Sequence, residues 1–462
     1  MTSSSRLFLA AVLATVALRL VFAFLPATTD LHTKAVLAVP DAPEYIQLAE
    51  NLVSHRVFSR EARQPFTLEL FRTPGYPVLI APLVRLPAPL EVKVIVLQVL
   101  LSVALAWVVY RLGHEMDLGK PVAGLAALLV AVSPNLAFLS TKVVTETAFT
   151  LLLALCLLLY NRYRTRRAAY DLVGAGVCAG LLALVRPIAV CFSLVLAVDV
   201  FVRALGRKPR PRAAAALVPL AVAGLVVLPW VYRNGQQTGR YILSTASEHN
   251  LYLYNAATVL SSEQNIPLSE SRNLMLAEAE ERFGPLDSSD EPGFWLAVSR
   301  VATRHLLRRP LRTGAVQLAG MVGCLTSPIS ISPLWVHSGV SGDMEPHVFQ
   351  RGLALVVKGR VASAFRLAWD QRMSRAGPFA LVVVVLALFH TLLLLAFGTV
   401  AVVGKAGRPY LWLLPTIVYF TILPGPVGDA RFRAPAEPML ALLAALGLYW
   451  VFGLKSGRNR PA

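Results

Sequence analysis

The chain has 462 residues, of which 56% are hydrophobic and only 15% charged, whereas an ordinary soluble domain carries about 25% charged residues. A soluble protein of this length would need two or three domains, each with its own core and polar cover; the polar residues for such covers are missing, and a mean hydropathy of +0.60 directs the apolar excess into lipid. The formal net charge of +18 does not make a nucleic-acid binder, because the Lys and Arg stand in short groups at the ends of apolar runs rather than on one basic face.

A membrane-crossing helix needs about 20 mostly apolar residues, since hydrocarbon offers its backbone no hydrogen-bond partner. Ten segments meet or approach that length: 7–25, 92–109, 122–139, 145–160, 170–185, 187–202, 213–231, 378–403, 410–423 and 434–454. The predicted fold is therefore all-α, a polytopic bundle of about ten spans with outer-face loops and interfacial helices. The first run is too long for a signal-peptide core and lacks a small-residue cleavage site, so it reads as a retained span. Arg162, Arg164, Arg166 and Arg167 after the fourth span, Arg203 to Arg212 after the sixth, and Lys405 and Arg408 after the eighth place those turns in the cytoplasm. The tail with Lys455, Arg458 and Arg460 places both termini there.

Three parts follow: a transmembrane module over 1–232 with its first outer loop at 26–91, an outer-face region over 233–377, and a second transmembrane module over 378–462. The semi-apolar stretch 314–331 is expected to lie in the interface rather than cross. The four cysteines show no CxxC or Cys/His spacing, so neither a disulfide framework nor a zinc site is encoded. His337 and His347, flanking Asp343 and Glu345, match no ligand spacing and read as a solvated loop. Asp199 and Arg203 read as an i, i+4 ion pair, and His390 as a packed helix residue.

Pro40 and Pro43 punctuate a helix entry, and Glu44 to Ser54 have helical apolar spacing. Asp41 thus sits near a helix N-terminus, either as an N-cap or as a general base at the membrane face. Arg72-Thr-Pro-Gly-Tyr-Pro77 then leads back to the bilayer. Each arginine at an outer span end could be a snorkelling anchor; their grouping on one side favours an anion, for which the planar, permanently charged guanidinium is suited. Arg19 lies about 9 Å of helix rise from the outer end of its span and should face a cavity or an acidic partner, for which Glu146 is a candidate.

The order of these motifs resembles membrane glycosyltransferases of the C superfamily, in particular the dolichyl-phosphate-mannose protein mannosyltransferase and aminoarabinose transferase group. The resemblance rests on Arg19 in the first span, Asp41 with Tyr45, and Arg72 to Pro77. It continues through Ser133-Pro134, Thr145-Glu146, Arg186-Pro187, Pro229-Trp230 before Arg233-Asn234, and Arg431-Phe-Arg433-Ala-Pro435. Two features depart from it: Asp41 and Glu44 replace an adjacent acidic pair, and Ser247-Glu-His-Asn250 lacks an expected glycine. The resemblance implies transfer of a sugar from a polyprenyl-phosphate donor to an acceptor lipid, glycan or protein. The active site would lie on the periplasmic face of a bacterial inner membrane, among membrane lipids and without nucleic acid. It implies Asp41, Glu44 and Glu146 as catalytic residues, with Asp41 the base. Arg19, Arg72, Arg186, Arg233, Arg431 and Arg433 would bind the donor phosphate, and Tyr45, Tyr76 and Asn250 would position substrate. No cofactor or metal is indicated. The alternative is a secondary transporter or lipid flippase, which would favour internal repeats and charged midplane helices.

Overall fold

The computed structural model describes residues 3–24, 36, 39–205, 211–287, 290–330, 334, 355, 360–368, 370 and 377–454, and every regular element among them is helical. The first half holds α1 (Ser3–Phe24), α2 (Ala42–Ser54), α3 (Gly75–Val84), α4 (Leu90–Glu115), α5 (Lys120–Ala131), α6 (Pro134–Leu139), α7 (Glu146–Arg166), α8 (Ala169–Val185), α9 (Phe192–Leu205), α10 (Pro211–Ala214) and α11 (Leu217–Thr238). In the middle, α12 (Ala246–Asn250) passes through a π-helical turn (Leu251–Ala256) into α13 (Ala257–Gln264), followed by α14 (Leu268–Phe283), α15 (Glu291–Arg308) and α16 (Pro310–Thr326). The rest holds α17 (Val361–Ala368), α18 (Pro378–Val403), α19 (Leu414–Ile422), 3₁₀ turns at Gly425–Val427 and Ala430–Ala436, and α20 (Glu437–Val451).

Among the described residues six helices are long and apolar enough to cross a bilayer: Arg6–Phe24, Leu90–Glu115, Pro187–Leu205, Leu217–Thr238, Pro378–Val403 and Ala430–Val451. The expected ten thus become about six: the runs 145–160 and 170–185 form the continuous α7 and α8, the first ending in a polar, basic turn and the second only 17 residues long, and the other two losses have a local cause. The run 122–139 breaks at Ser133, which is extended (φ −62°, ψ 115°) because the following Pro134 disfavours the helical region for it. Its hydroxyl caps the short α6 by accepting from the Leu136 N–H at 3.2 Å. The run 410–423 begins in a 3₁₀ stretch that contains Pro409, leaving α19 only nine residues.

The main core joins α4, α5, α7, α8, α9, α18 and α20 around Val109, Val122, Phe149, Leu157, Phe192 and Leu442. Gly176 and Gly180 bring α8 against Val222 and Val226 of α11, where a Cβ would stand 2.9 and 2.6 Å from the valine Cβ atoms. Such small-residue contacts are how helices associate without a hydrophobic drive between them. The outward faces carry exposed Leu100, Leu194, Leu225 and Phe389, for which lipid is the solvent. The amphipathic α2 buries Ala42, Tyr45, Leu48 and Ala49, as its spacing predicts.

Helices α12 to α15 form a second, smaller cluster around Tyr252, Ala256, Met275, Val298 and Val301. From it α16 returns to α18 and α19, at the position of the expected interfacial helix. Gly320 of α16 is pressed onto the Gly425 turn, with the site of a Cβ only 1.9 Å from the Gly425 carbonyl oxygen. Gly320→Ala should therefore destabilise the fold by about 1–3 kcal/mol, the usual effect of overpacking. Thermal unfolding in detergent checks this, and an unchanged midpoint would mean that α16 is free to shift.

Asp199 takes Arg203 at 2.8 Å and Arg164 at 3.4 Å, and His390 Nε2 lies 2.9 Å from the Leu129 carbonyl oxygen; both match the expected structural roles. Cys156, Cys178, Cys191 and Cys324 are free thiols. His337, Asp343, Glu345 and His347, and the basic tail at 455–460, lie outside the described residues.

Candidate active site

A cavity of about 910 Å³ lies between the helix bundle and the α12–α16 cluster, and its charged floor is built by four loop or helix-end elements. Asp41 occupies the N-cap position of α2 but makes no capping bond. Pro43 at N2 has no N–H to offer it, so its carboxylate is free to turn outward. Arg72 precedes α3 and donates its backbone N–H to Glu69 at 2.6 Å. Gly75 then lets α3 abut the end of α8, where a Cβ would be 2.7 Å from the Leu184 carbonyl oxygen. Arg186, extended at φ −143° and ψ 121° before Pro187, ends α8. Arg431 sits in a 3₁₀ turn fixed by Asp429, which accepts from its N–H at 2.7 Å, and by Asn135, which donates to the Ala430 carbonyl at 3.0 Å.

The side chains alternate in charge along one continuous path. Arg60 bridges Glu69 and Glu44; Glu44 accepts from Arg72 Nε at 2.6 Å; Arg72 Nη2 reaches Asp41 Oδ1 at 2.7 Å. Asp41 Oδ2 then takes Arg431 Nη2 at 2.6 Å, and Arg431 and Arg186 share the buried Glu146. Burial pushes the Asp41 carboxyl up, but Arg431 and Arg72 outweigh it and hold it well below the usual carboxylate range. Arg72, which also lies over the rings of Phe71 and Tyr45 at 4.8 and 5.1 Å, is held more firmly protonated by Tyr45, Asp41 and Glu44, against the cost of its burial.

Two further walls complete the cavity. One is apolar, with Ile188, Val190, Cys191, Leu423 and Val427, of which Val190 and Leu423 are exposed. The other is polar and aromatic, with His249, Asn250, Tyr254, Asn255, Trp295 and Gln317. His249 packs edge-on between Phe71 at 4.9 Å and Trp295 at 4.7 Å. Burial, with Arg72 and Arg272 nearby, lowers its pKa and keeps the imidazole neutral. The Pro229-Trp230 and Arg233-Asn234 motif sets this wall in place: Trp230 and Asn234 bond the carbonyls of Leu243 and Ile242 at 3.0 Å each. Ser244 and Thr245 then tie the loop to Phe71 and Leu70 at 2.5 and 3.0 Å.

Of the expected site residues, Asp41, Glu44, Tyr45, Arg72, Arg186, Arg431 and Asn250 line the cavity. Glu146 stands behind the floor, fully buried, and its partners are Arg186 and Arg431 rather than Arg19. Tyr76 is likewise buried, edge-on to Tyr45 at 5.0 Å. Three arginines leave the expected phosphate group. Arg19 bonds the carbonyls of Thr15 and Ala131 at 3.2 Å each and borders a separate apolar pocket between α1 and α4. Arg233 bonds Asn234 at 2.8 Å and lies over Trp230 at 4.6 Å. Arg433 is buried on Glu437 and on carbonyls at the end of α16. Arg60, His249, Tyr254, Asn255, Trp295 and Gln317 were not legible as site residues; the only signal in their stretch is aromatic side chains within a polar region. Among the described residues, no three or more His, Cys, Asp or Glu are grouped to hold a metal ion.

Residues 72–232 match the sequence profile of the family described as dolichyl-phosphate-mannose-protein mannosyltransferase. No curated protein sequence matches the chain. Among solved structures, the Archaeoglobus fulgidus oligosaccharyltransferase tethered with an acceptor peptide containing the NVT sequon is similar at a TM-score of 0.50 and 17% identity, over 97% of this chain and 50% of that one. The archaeal oligosaccharyltransferase AglB from Archaeoglobus fulgidus, in complex with an inhibitory peptide and a dolichol-phosphate, aligns at a TM-score of 0.47 and 18% identity, over the same shares. The first of these likenesses is one of fold, and the chain spans about half the length of that enzyme. The family match takes in Arg72, Glu146 and Arg186, while Asp41 and Arg431 lie outside it. Over about a third of its length, then, this integral membrane protein carries the sequence signature of the dolichyl-phosphate-mannose-protein mannosyltransferase family, the C-superfamily group that its motifs resemble.

Proposed function

We propose that the protein is a membrane glycosyltransferase that moves one sugar from a polyprenyl-phosphate carrier to an acceptor hydroxyl at the outer face of the membrane. The observation that carries this reading is a single cavity in which a carboxylate, Asp41, stands among Arg72, Arg186 and Arg431 beside a wall of apolar side chains. A lipid-linked phosphate needs that combination: hydrocarbon contact for the tail and guanidinium groups for the head. Arg186 is the natural first contact. It borders the apolar wall and shares its charge with one carboxylate, whereas Arg72 and Arg431 each hold two.

In this reading Asp41 takes the acceptor proton as the acceptor oxygen attacks the anomeric carbon from the face opposite the phosphate, inverting that centre. The arginines stabilise charge growing on the departing phosphate oxygen, where little water competes. The acceptor enters along the polar wall, against Trp295, Tyr254 and the side-chain amides of Asn250, Asn255 and Gln317.

The test is turnover of purified protein in lipid nanodiscs with a panel of polyprenyl-phosphate sugars, read as release of polyprenyl phosphate. Absence of release with every donor and acceptor would overturn the reading. Arg186→Ala should raise the donor KM by about tenfold or more, the loss of one charge-assisted contact, and Trp295→Ala should raise the acceptor KM while leaving the donor KM in place.

A further inference from the structure

The floor of the cavity poses a chemical problem for its own base. Both oxygens of Asp41 are occupied, Oδ1 by Arg72 at 2.7 Å and Oδ2 by Arg431 at 2.6 Å. A general base must receive a proton on one of those oxygens; each keeps a second lone pair for it, but the charge-assisted guanidinium bond on each oxygen draws off its negative charge and leaves the carboxylate a weak base while both bonds last. Each arginine has a second anchor that does not involve Asp41: Arg72 Nε is on Glu44 at 2.6 Å, and Arg431 Nε is on Glu146. Glu146 is fully buried and also holds Arg186. Each Nη2 can therefore change partner while its Nε bond keeps the guanidinium in place.

We propose that Arg431, anchored by Glu146, couples donor binding to the base: the donor phosphate takes over the Nη groups of Arg431 and Arg72 and thereby releases Asp41 to accept the acceptor's proton. The inference rests on the reading of the cavity as a polyprenyl-phosphate-sugar site. Phosphate oxygens compete well for these donors, because arginine pairs with phosphate through two parallel charge-assisted bonds. The acceptor O–H proton passes to Asp41, the acceptor oxygen bonds to the anomeric carbon, and the bond from that carbon to the phosphate oxygen breaks. Its electron pair leaves on polyprenyl phosphate, whose added charge falls on Arg72, Arg186 and Arg431. Asp41 is thus a working base only when a leaving group is in place.

The groups facing Asp41 are Glu44 and Tyr45 of its own helix, Arg72 before α3, Glu146 at the start of α7, Arg186 after α8 and Arg431 before α20. The probe is polyprenyl phosphate added to the full-length protein in nanodiscs. Its affinity is measured by calorimetry, and protonation of Asp41 is followed by infrared difference spectroscopy of carboxyl-labelled aspartate, with Asp41→Asn as the reference. Binding should raise the pH at which Asp41 takes up its proton by one unit or more. Arg431→Gln should raise it without the probe and should shrink the further rise that the probe produces; Arg431→Lys should restore part of the coupling. A probe that binds without moving Asp41, or that moves it equally in wild type and Arg431→Gln, as simple charge repulsion would, overturns the exchange of partners. A probe that does not bind overturns the donor reading itself.

Discussion

Asp41→Asn is expected to slow sugar transfer by about 10²–10⁴-fold, the range supplied by a positioned general base, while the protein stays folded and membrane-inserted. The substitution keeps shape and one hydrogen-bond acceptor but removes the carboxylate that takes up the acceptor's proton. Folding should tolerate it for two reasons visible in the structure. The side chain makes no capping bond to α2, and Arg72 and Arg431 keep their bonds to Glu44 and Glu146 when Asp41 loses its charge. The variant should also bind polyprenyl phosphate at least as tightly as wild type, since a carboxylate that competes for the same two guanidinium groups is gone. Turnover, thermal midpoint and probe affinity measured on one preparation decide the matter. A rate within tenfold of wild type would return Asp41 to a purely electrostatic role in holding the two arginines.

The floor of this site is legible in the sequence because its residues stand in short, ordered motifs on one side of successive apolar runs. Asp41, Glu44, Arg72, Arg186 and Arg431 meet in one cavity although up to 390 positions separate Asp41 from Arg431. What the sequence does not carry is where a guanidinium points. Arg19, Arg233 and Arg433 have the same residue type and sidedness as the others, yet their partners are backbone carbonyls, a neighbouring amide, aromatic rings and, for Arg433, the carboxylate of Glu437. The span count fails in part for a related reason: the run 122–139 is apolar but for Ser133 and Asn135, and Ser133-Pro134 converts one apparent crossing into two shorter helices. The polar wall is the least legible part. Its residues come from three places, the α12 end with its π-helical turn, α15 and α16, and converge only because Trp230, Asn234, Ser244 and Thr245 fix the loop between α11 and α12.

Arg433→Ala should lower stability strongly, with little direct effect on donor binding. Arg433 is 1% exposed. Its guanidinium bonds Glu437 at 3.1 Å, the carbonyls of Leu325 and Pro328 at 3.0 and 3.1 Å, and the carbonyl of Ser327. These carbonyls lie at and beyond the end of α16, where backbone acceptors have no partner within the helix and attract a cation. Glu437 in turn accepts from Ser133 at 2.5 Å and from Asn135 at 2.8 Å, so one ion pair fastens α16, the start of α6 and α20 together. Removing the arginine strands a buried carboxylate and several carbonyls, which for buried pairs costs about 3–5 kcal/mol. The expected result is a thermal midpoint well below wild type, with normal turnover per folded molecule at low temperature. Arg433→Met combined with Glu437→Leu should recover part of the loss, because the uncompensated charge is gone while the carbonyls at the end of α16 still lack donors. A midpoint equal to wild type together with a raised donor KM in Arg433→Ala would instead put Arg433 back among the phosphate ligands.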